Sequence, residues 1–241
     1  MKAYIGCISD KGNYREKNQD RAVCHMTDRK GALLAVACVC DGIGSFARSE
    51  IASEMLTAGV SRWFEGMKAY YPDTMDEEML VEDLDITVRE LNELAYEYRR
   101  EHGIDIGCTM SLLLLAGRNY HVFHVGDSRI YLVRDGMQQI TRDEVVMKEA
   151  GGRVKPRLAN YVGKDRELWM SRLTGTLEGK AAFLMGSDGL FKQLAYEDVA
   201  EAIGRVKSSR HAGKACGRFL ELVLERGERD NVSCILVCAV P

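Results

Sequence analysis

Leu33-Leu34-Ala35-Val36-Ala37-Cys38-Val39-Cys40-Asp41-Gly42 is the stretch on which the fold turns. Eight apolar residues follow one another without a polar break, then stop at an Asp-Gly pair. A run of that length, uninterrupted by charge, reads as a central strand buried on both faces. Before it, residues 2–9 and 21–26 read as further strands, separated by the polar turn Asp10-Lys11-Gly12-Asn13.

After it the period changes. Ile51, Met55, Leu56, Val60 and Phe64 recur at helical spacing over residues 49–67. Leu80, Leu84, Val88, Leu91, Leu94, Ala95 and Tyr98 do the same over 76–100, and Pro72 punctuates the connection. Strands return at 108–115, 120–125, 130–134 and 137–141. Arg134-Asp135-Gly136 reads as a hairpin turn with positive φ at the glycine, and Gly117-Arg118-Asn119 as another turn. The pattern then weakens, and Gly151-Gly152 and Pro156 mark an irregular segment reaching to about 164. Residues 168–177 and 181–186 read as strands, 198–206 and 211–225 as helices, and 232–240 as a closing strand.

Helices come in groups and do not alternate with strands. That order argues against a parallel βαβ sheet and for an α+β fold. Roughly ten strands and four amphipathic helices make two mostly antiparallel sheets packed together, with helix pairs outside.

The 241 residues are 46% hydrophobic and 29% charged, the balance of one globular domain spanning 1–241. The net charge of −3 speaks against a nucleic-acid partner. No apolar run reaches the roughly 18–20 residues that span a bilayer, and the N-terminal residues lack the apolar core of a signal peptide. The expectation is a cytoplasmic protein with no membrane partner. None of the 8 Cys forms a Cys-x-x-Cys pair, and most sit in apolar segments, so free buried thiols are expected.

The chemistry lies in aspartates at strand ends. Asp20 opens a strand, Asp41 closes one, Asp127 and Asp188 follow two more, and Asp230 precedes the last. A single Asp-Gly is ordinary turn chemistry. Five acids brought to one edge would repel, so a cation compensates them or some keep their protons. Oxygen-only ligands select Mg²⁺ or Mn²⁺ over Zn²⁺, and two such ions about 3.5–4 Å apart clamp and deprotonate a water. Arg15, just before Asp20, offers a bidentate fork for phosphate, or is a solvated loop residue. Other chemistries lack their residues. No Cys has Arg at the offset of a cysteine phosphatase, and neither Gly-x-Ser-x-Gly nor Gly-x-Gly-x-x-Gly occurs. His121 and His124 point to opposite sides of one strand.

Six segments together resemble the type 2C family of metal-dependent serine/threonine protein phosphatases, in its short bacterial form. They are Ser9-Asp10-Lys11-Gly12 through Arg15 to Asn18-Gln19-Asp20; Val39-Cys40-Asp41-Gly42-Ile43-Gly44 with Glu50 and Ala52-Ser53; Gly107-Cys108-Thr109; His124-Val125-Gly126-Asp127-Ser128-Arg129-Ile130-Tyr131; Gly186-Ser187-Asp188-Gly189-Leu190; and Arg229-Asp230-Asn231-Val232-Ser233. The resemblance implies α-β-β-α layers and hydrolysis of phosphoserine or phosphothreonine at a binuclear Mn²⁺ or Mg²⁺ site. It implies that Asp41 bridges two metals with the Gly42 carbonyl as a further ligand, and that Asp188 and Asp230 complete one of them. Asp20 supports the other, directly or through water, Asp127 serves a weaker third site, and Arg15 binds the substrate phosphate. The implied partners are phosphorylated proteins and a cognate serine/threonine kinase, in signal transduction.

Three departures stand out. Gln19 replaces a Glu common in the family. Ser45-Phe46 and Ser49 leave no His after the second motif to act as general acid. The flap after Thr141-Arg142-Asp143 is abbreviated, and Gly152-Arg153-Val154 and the stretch from Arg157 to Gly163 follow the family pattern only loosely. Two other readings stay open: a catalytically silent signalling or docking domain on the same fold, and a hydrolase of small phosphoesters.

Overall fold

The computed structural model describes residues 1–150 and 153–240. In chain order the elements are β1 (Lys2–Asp10), β2 (Arg21–Arg29), β3 (Ala32–Cys40), α1 (Ser49–Met67), α2 (Glu77–His102), β4 (Met110–Ala116), β5 (Asn119–Val125), β6 (Arg129–Val133), β7 (Met137–Gln139), β8 (Val145–Ala150), β9 (Arg153–Leu158), β10 (Ser171–Thr176), β11 (Ala181–Gly186), α3 (Asp188–Phe191), α4 (Tyr196–Gly204), α5 (Ser209–Glu225) and β12 (Val232–Val240). Ten strands form two five-stranded antiparallel sheets, in the orders β1-β12-β11-β6-β7 and β10-β5-β4-β3-β2, and β8 and β9 pair as a separate hairpin. The expected α-β-β-α sandwich is present.

The period-2 geometry of a strand explains how one apolar run fills two layers. Leu34, Val36, Cys38 and Cys40 of β3 pack against α1 and α2. Leu33, Ala35, Ala37 and Val39, pointing the other way, pack between the sheets with Phe183, Met185 and Ile235. The same division runs through β12. Cys234 and Leu236 face α5, whereas Ile235 and Val237 face the opposite sheet. Each helix then needs only one apolar stripe. Leu80, Leu84, Val88 and Leu91 of α2 supply it, and the helix is closed by the Asp76 side chain at its start and by Gly103, at φ 62°, at its end.

The hairpin corrects the irregular segment expected after Thr141. Register runs from Val145↔Leu158 to Ala150↔Arg153, with Pro156 opposite Met147. A two-stranded ribbon has two open edges, so proline is tolerated there, and it buries no continuous face that periodicity could reveal. The Gly151-Gly152 reading lies outside the described residues. Gly136 differs too: it is not among the glycines with positive φ, although the Arg134 amide does close the turn onto the Gly136 carbonyl at 3.0 Å. The strand expected over 168–177 is shorter, with Leu168 buried under α2 and Trp169 exposed. All eight cysteines are free thiols, as expected. Among the described residues no helix is long and apolar enough to cross a membrane.

β1 and α5 approach so closely that a Cβ on Gly6 would fall on the backbone of Ala212 and Gly213. Backbone cannot swing aside as a side chain can. Gly6→Ala is therefore expected to lower unfolding stability by about 1–3 kcal/mol in urea titrations. Gly66→Ala, in a helical position with open space around it, should stabilise by roughly 0.5–1 kcal/mol. Equal effects at the two positions would contradict this packing.

Candidate metal centre

All five expected aspartates lie at one end of the sandwich, because antiparallel register brings alternate strand ends to the same edge. β3 delivers Asp41, β11 leads through Ser187 to Asp188, and Asp20, Asp127 and Asp230 precede β2, β6 and β12. Asp41, Asp127, Asp188, Asp230 and Arg15 line a single cleft of about 450 Å³. Asp20 lies behind it, 1% exposed, and its Oδ2 has no hydrogen-bond partner.

Backbone contacts hold these corners. The Asp41 amide donates to Thr109 Oγ1 at 3.0 Å, and the Thr109 amide to the Asp41 carbonyl at 2.8 Å. Asn231 ties the first loop to β12. Its Oδ1 accepts from the Gln19 amide at 2.9 Å, and its Nδ2 donates to the carbonyls of Lys11 and Lys17. A Cβ on Gly42 would lie 2.6 Å from the Gln19 carbonyl, so only glycine lets the two corners meet.

The electrostatics are those of crowded like charges. Burial pushes Asp20 up to about 6, although the hydroxyls of Ser187 and Ser233 counter it in part. Burial and then the neighbouring Asp20, Asp188, Asp127 and Asp230 hold Asp41 well above the ordinary carboxylate range. Burial, then Asp188 and Asp143, push Asp127 up to about 6. Two cations sit on the remaining acids. Arg15 Nη2 donates to Asp230 Oδ2 at 2.8 Å, and Lys192 Nζ lies 2.7 Å from Asp188 Oδ2, one helical turn along α3. Burial lowers the Lys192 pKa, but Asp188, Glu228 and Asp230 outweigh it and leave it raised. With those two carboxylates so held, no three acid, histidine or cysteine side chains clasp a single point among the described residues.

The donor set nevertheless fits a hard divalent cation. It is all oxygen, it is crowded with like charge, and it includes an orphaned carboxylate oxygen in the buried Asp20. Arg15 and Asp230 are 43% and 32% exposed, so their ion pair is weak and can yield to other partners.

Several residues at the site take roles that their place in the sequence does not show. Gln19 is turned away from the acids, and its Nε2 donates to the Phe46 carbonyl at 3.0 Å. Phe46 in turn meets Tyr161 edge-on at 5.8 Å. Pro156, Arg157 and Leu158 bring the hairpin to the cleft wall. Glu144 anchors the hairpin's root: its carboxylate accepts from the Gly126 amide at 3.1 Å, Asn160 Nδ2 at 2.9 Å and Ser171 Oγ at 3.0 Å. Lys192 could have been placed only once α3 was known. The histidines make no pair. His121 bonds Glu77 and Thr174, whereas His124 bonds Ser111 and the carbonyls of Gly126 and Arg142.

An α-β-β-α sandwich with an oxygen-rich cleft at one end of its sheets has the architecture of metal-dependent protein phosphatases. The family model for protein phosphatase 2C matches residues 13–224, and the chain belongs to that family, a family of hydrolases. It is 33% identical to the serine/threonine protein phosphatase PstP of Mycobacterium tuberculosis, over 96% of this chain and 44% of that protein. The chain thus spans less than half the length of that relative. It is 26% identical to the protein phosphatase PhpP of Streptococcus pneumoniae, over 97% of this chain and 96% of that one. Among solved structures, the catalytic domain of PstP in complex with two manganese ions superposes with a TM-score of 0.75 at 25% identity, covering 99% of both chains.

The crowding has a consequence for the protein held in chelator. Folded Asp20 keeps its proton to a higher pH than unfolded Asp20 does. Between about pH 4 and pH 6 the folded state therefore binds more protons, and stability falls as pH rises through that window. Asp20→Asn removes the charge and keeps the shape. At pH 7.5 it should stabilise the chelated protein by on the order of 2 kcal/mol, and at pH 4 by little. Denaturant titrations at both pH values read the difference, and an equal effect at both contradicts the assignment.

Proposed function

We propose that this chain hydrolyses phosphoserine and phosphothreonine in proteins at a binuclear Mn²⁺ or Mg²⁺ site formed by the strand-end aspartates. The observation that carries the reading is the convergence of Asp41, Asp127, Asp188 and Asp230 with Arg15 on one cleft.

In this reading Asp41, Asp188, Asp230 and the Gly42 carbonyl would hold the two ions between them, with Asp41 shared, and Asp20 would support them from behind. When bound, such a pair supplies an activated water for in-line attack on phosphorus. Arg15 leaves Asp230 and forks onto two phosphate oxygens, which orients the ester for attack. Asp127, less deeply buried than Asp20, would serve a third and weaker ion. Its part would be to place a proton donor near the leaving oxygen, because the stretch from Ser45 to Ser49 offers no histidine. Gln19, turned to the Phe46 carbonyl, shapes the wall and takes no part as an anionic ligand. The hairpin residues Pro156, Arg157 and Leu158 meet the polypeptide on either side of the phosphorylated residue. The partners are phosphorylated proteins and a cognate serine/threonine kinase of the cytoplasm, with no nucleic acid and no membrane.

Turnover of a phosphothreonine peptide by the purified protein tests the reading. Mn²⁺ or Mg²⁺ should activate, EDTA should abolish activity, and Asp41→Asn should lose several orders of magnitude in kcat. Full activity in chelator overturns it.

Asp127→Ala separates the third position from the first two. It should slow phosphothreonine far more than p-nitrophenyl phosphate, whose phenolate leaves with little help from a proton. If Asp127 merely caps its turn, both substrates slow alike and the melting temperature falls.

A further inference from the structure

The two outer faces of the sandwich are covered unequally. α1 and α2, of 19 and 26 residues, lie along the outside of the second sheet. On the outside of the first, α5 has 17 residues but α4 only 9. Where α4 ends, a groove of about 500 Å³ remains over the last residue of β6, the start of β11 and the end of β12.

Small side chains make its depth. Ala182 and Cys238 line its floor beside Val133. α4 turns Tyr196, Ala200, Ile203 and Gly204 toward it, positions that share one helical face. Tyr196, a large aromatic, is 41% exposed.

The rim is cationic. Arg134, Lys180 and Lys207 line the groove, and among the described residues no acidic side chain does. Lys180 and Lys207 take part in none of the ion pairs found among the described residues, and Arg134 makes only a 3.4 Å contact with the Thr176 carbonyl.

The groove is separate from the acidic cleft. β6, β11 and β12 each reach it with one end and the aspartates with the other. Six residues of β11 at about 3.3 Å each put roughly 20 Å between them.

We propose that this groove binds a small amphiphilic anion, an apolar chain that ends in a carboxylate. The floor takes the chain, the Arg134 guanidinium forks onto the carboxylate, and the two lysines flank it. Its volume lies within the range of about 300–1,000 Å³ typical of small-molecule sites. The proposal is independent of the phosphatase reading.

Calorimetric titration of the purified protein with decanoate, below its micellar concentration, tests it. The expected result is saturable binding of one decanoate per chain, and none of decyltrimethylammonium. Lys180→Glu combined with Lys207→Glu should weaken decanoate at least tenfold. Gly204→Leu should block the groove, and because a Cβ at Gly204 meets nothing within 4 Å, the variant should fold and melt like the parent. Absence of saturable binding overturns the proposal. So does equal binding of the cationic amphiphile, or binding unaltered by both variants.

Discussion

Repulsion among carboxylates is the constraint on which this molecule is built. Asp20, Asp41, Asp127, Asp188 and Asp230 come from five strand ends, each within two residues of a strand. β3 and β12 are buried on both faces and paired on both edges, so their ends cannot shift without disturbing all four layers. The fold thus does work against like charge that a looser scaffold would relieve by moving. Such preorganisation is what a site needs if it is to hold a hard cation in place of its water shell.

The protein's own means of relief are partial. Arg15 and Lys192 each reach one acid, Ser187 and Ser233 offer hydroxyls, and Asp20 and Asp127 hold their protons to about pH 6. None of these reaches Asp20 Oδ2 with a hydrogen bond. The two basic side chains are also half in solvent, so their pairs form and part readily. In the proposed reading, divalent ions would replace these internal cations and free Arg15 for the substrate phosphate. Tuning falls to the surroundings: Asn231 and Thr109 fix the corners, while Glu144 fastens the hairpin to the Gly126 amide, next to Asp127.

Much of this was legible in the chain, for physical reasons that can be named. The buried strand at 33–40 and the closing strand at 232–240 are long apolar runs that no exposed segment could sustain. The α1 and α2 stripes repeat often enough to fix their period. The aspartates were visible because each punctuates a strand end. What was not legible depends on contacts distant in sequence or too weak to leave a pattern. The β8–β9 ribbon buries too little to impose alternation. Gly136 suggests a left-handed turn that the chain closes without one. Gln19 reads as a lost ligand, yet its amide is used on the Phe46 carbonyl. Lys192 and Glu144 look like any surface charges until the elements around them are assembled. The cluster itself was inferred from strand ends alone, with its chemistry supplied by family resemblance.

The central claim is that these crowded carboxylates are balanced by two divalent ions sharing Asp41, and counting bound metal tests it most directly. Calorimetric titration of chelator-treated protein with Mn²⁺ should show two tightly bound ions per chain. In Asp41→Asn, which keeps the shape of the bridging side chain and removes its charge, tight binding of the pair should be lost while the fold persists by circular dichroism. Two ions bound by Asp41→Asn as tightly as by the parent, or no tight binding by the parent, would contradict the account.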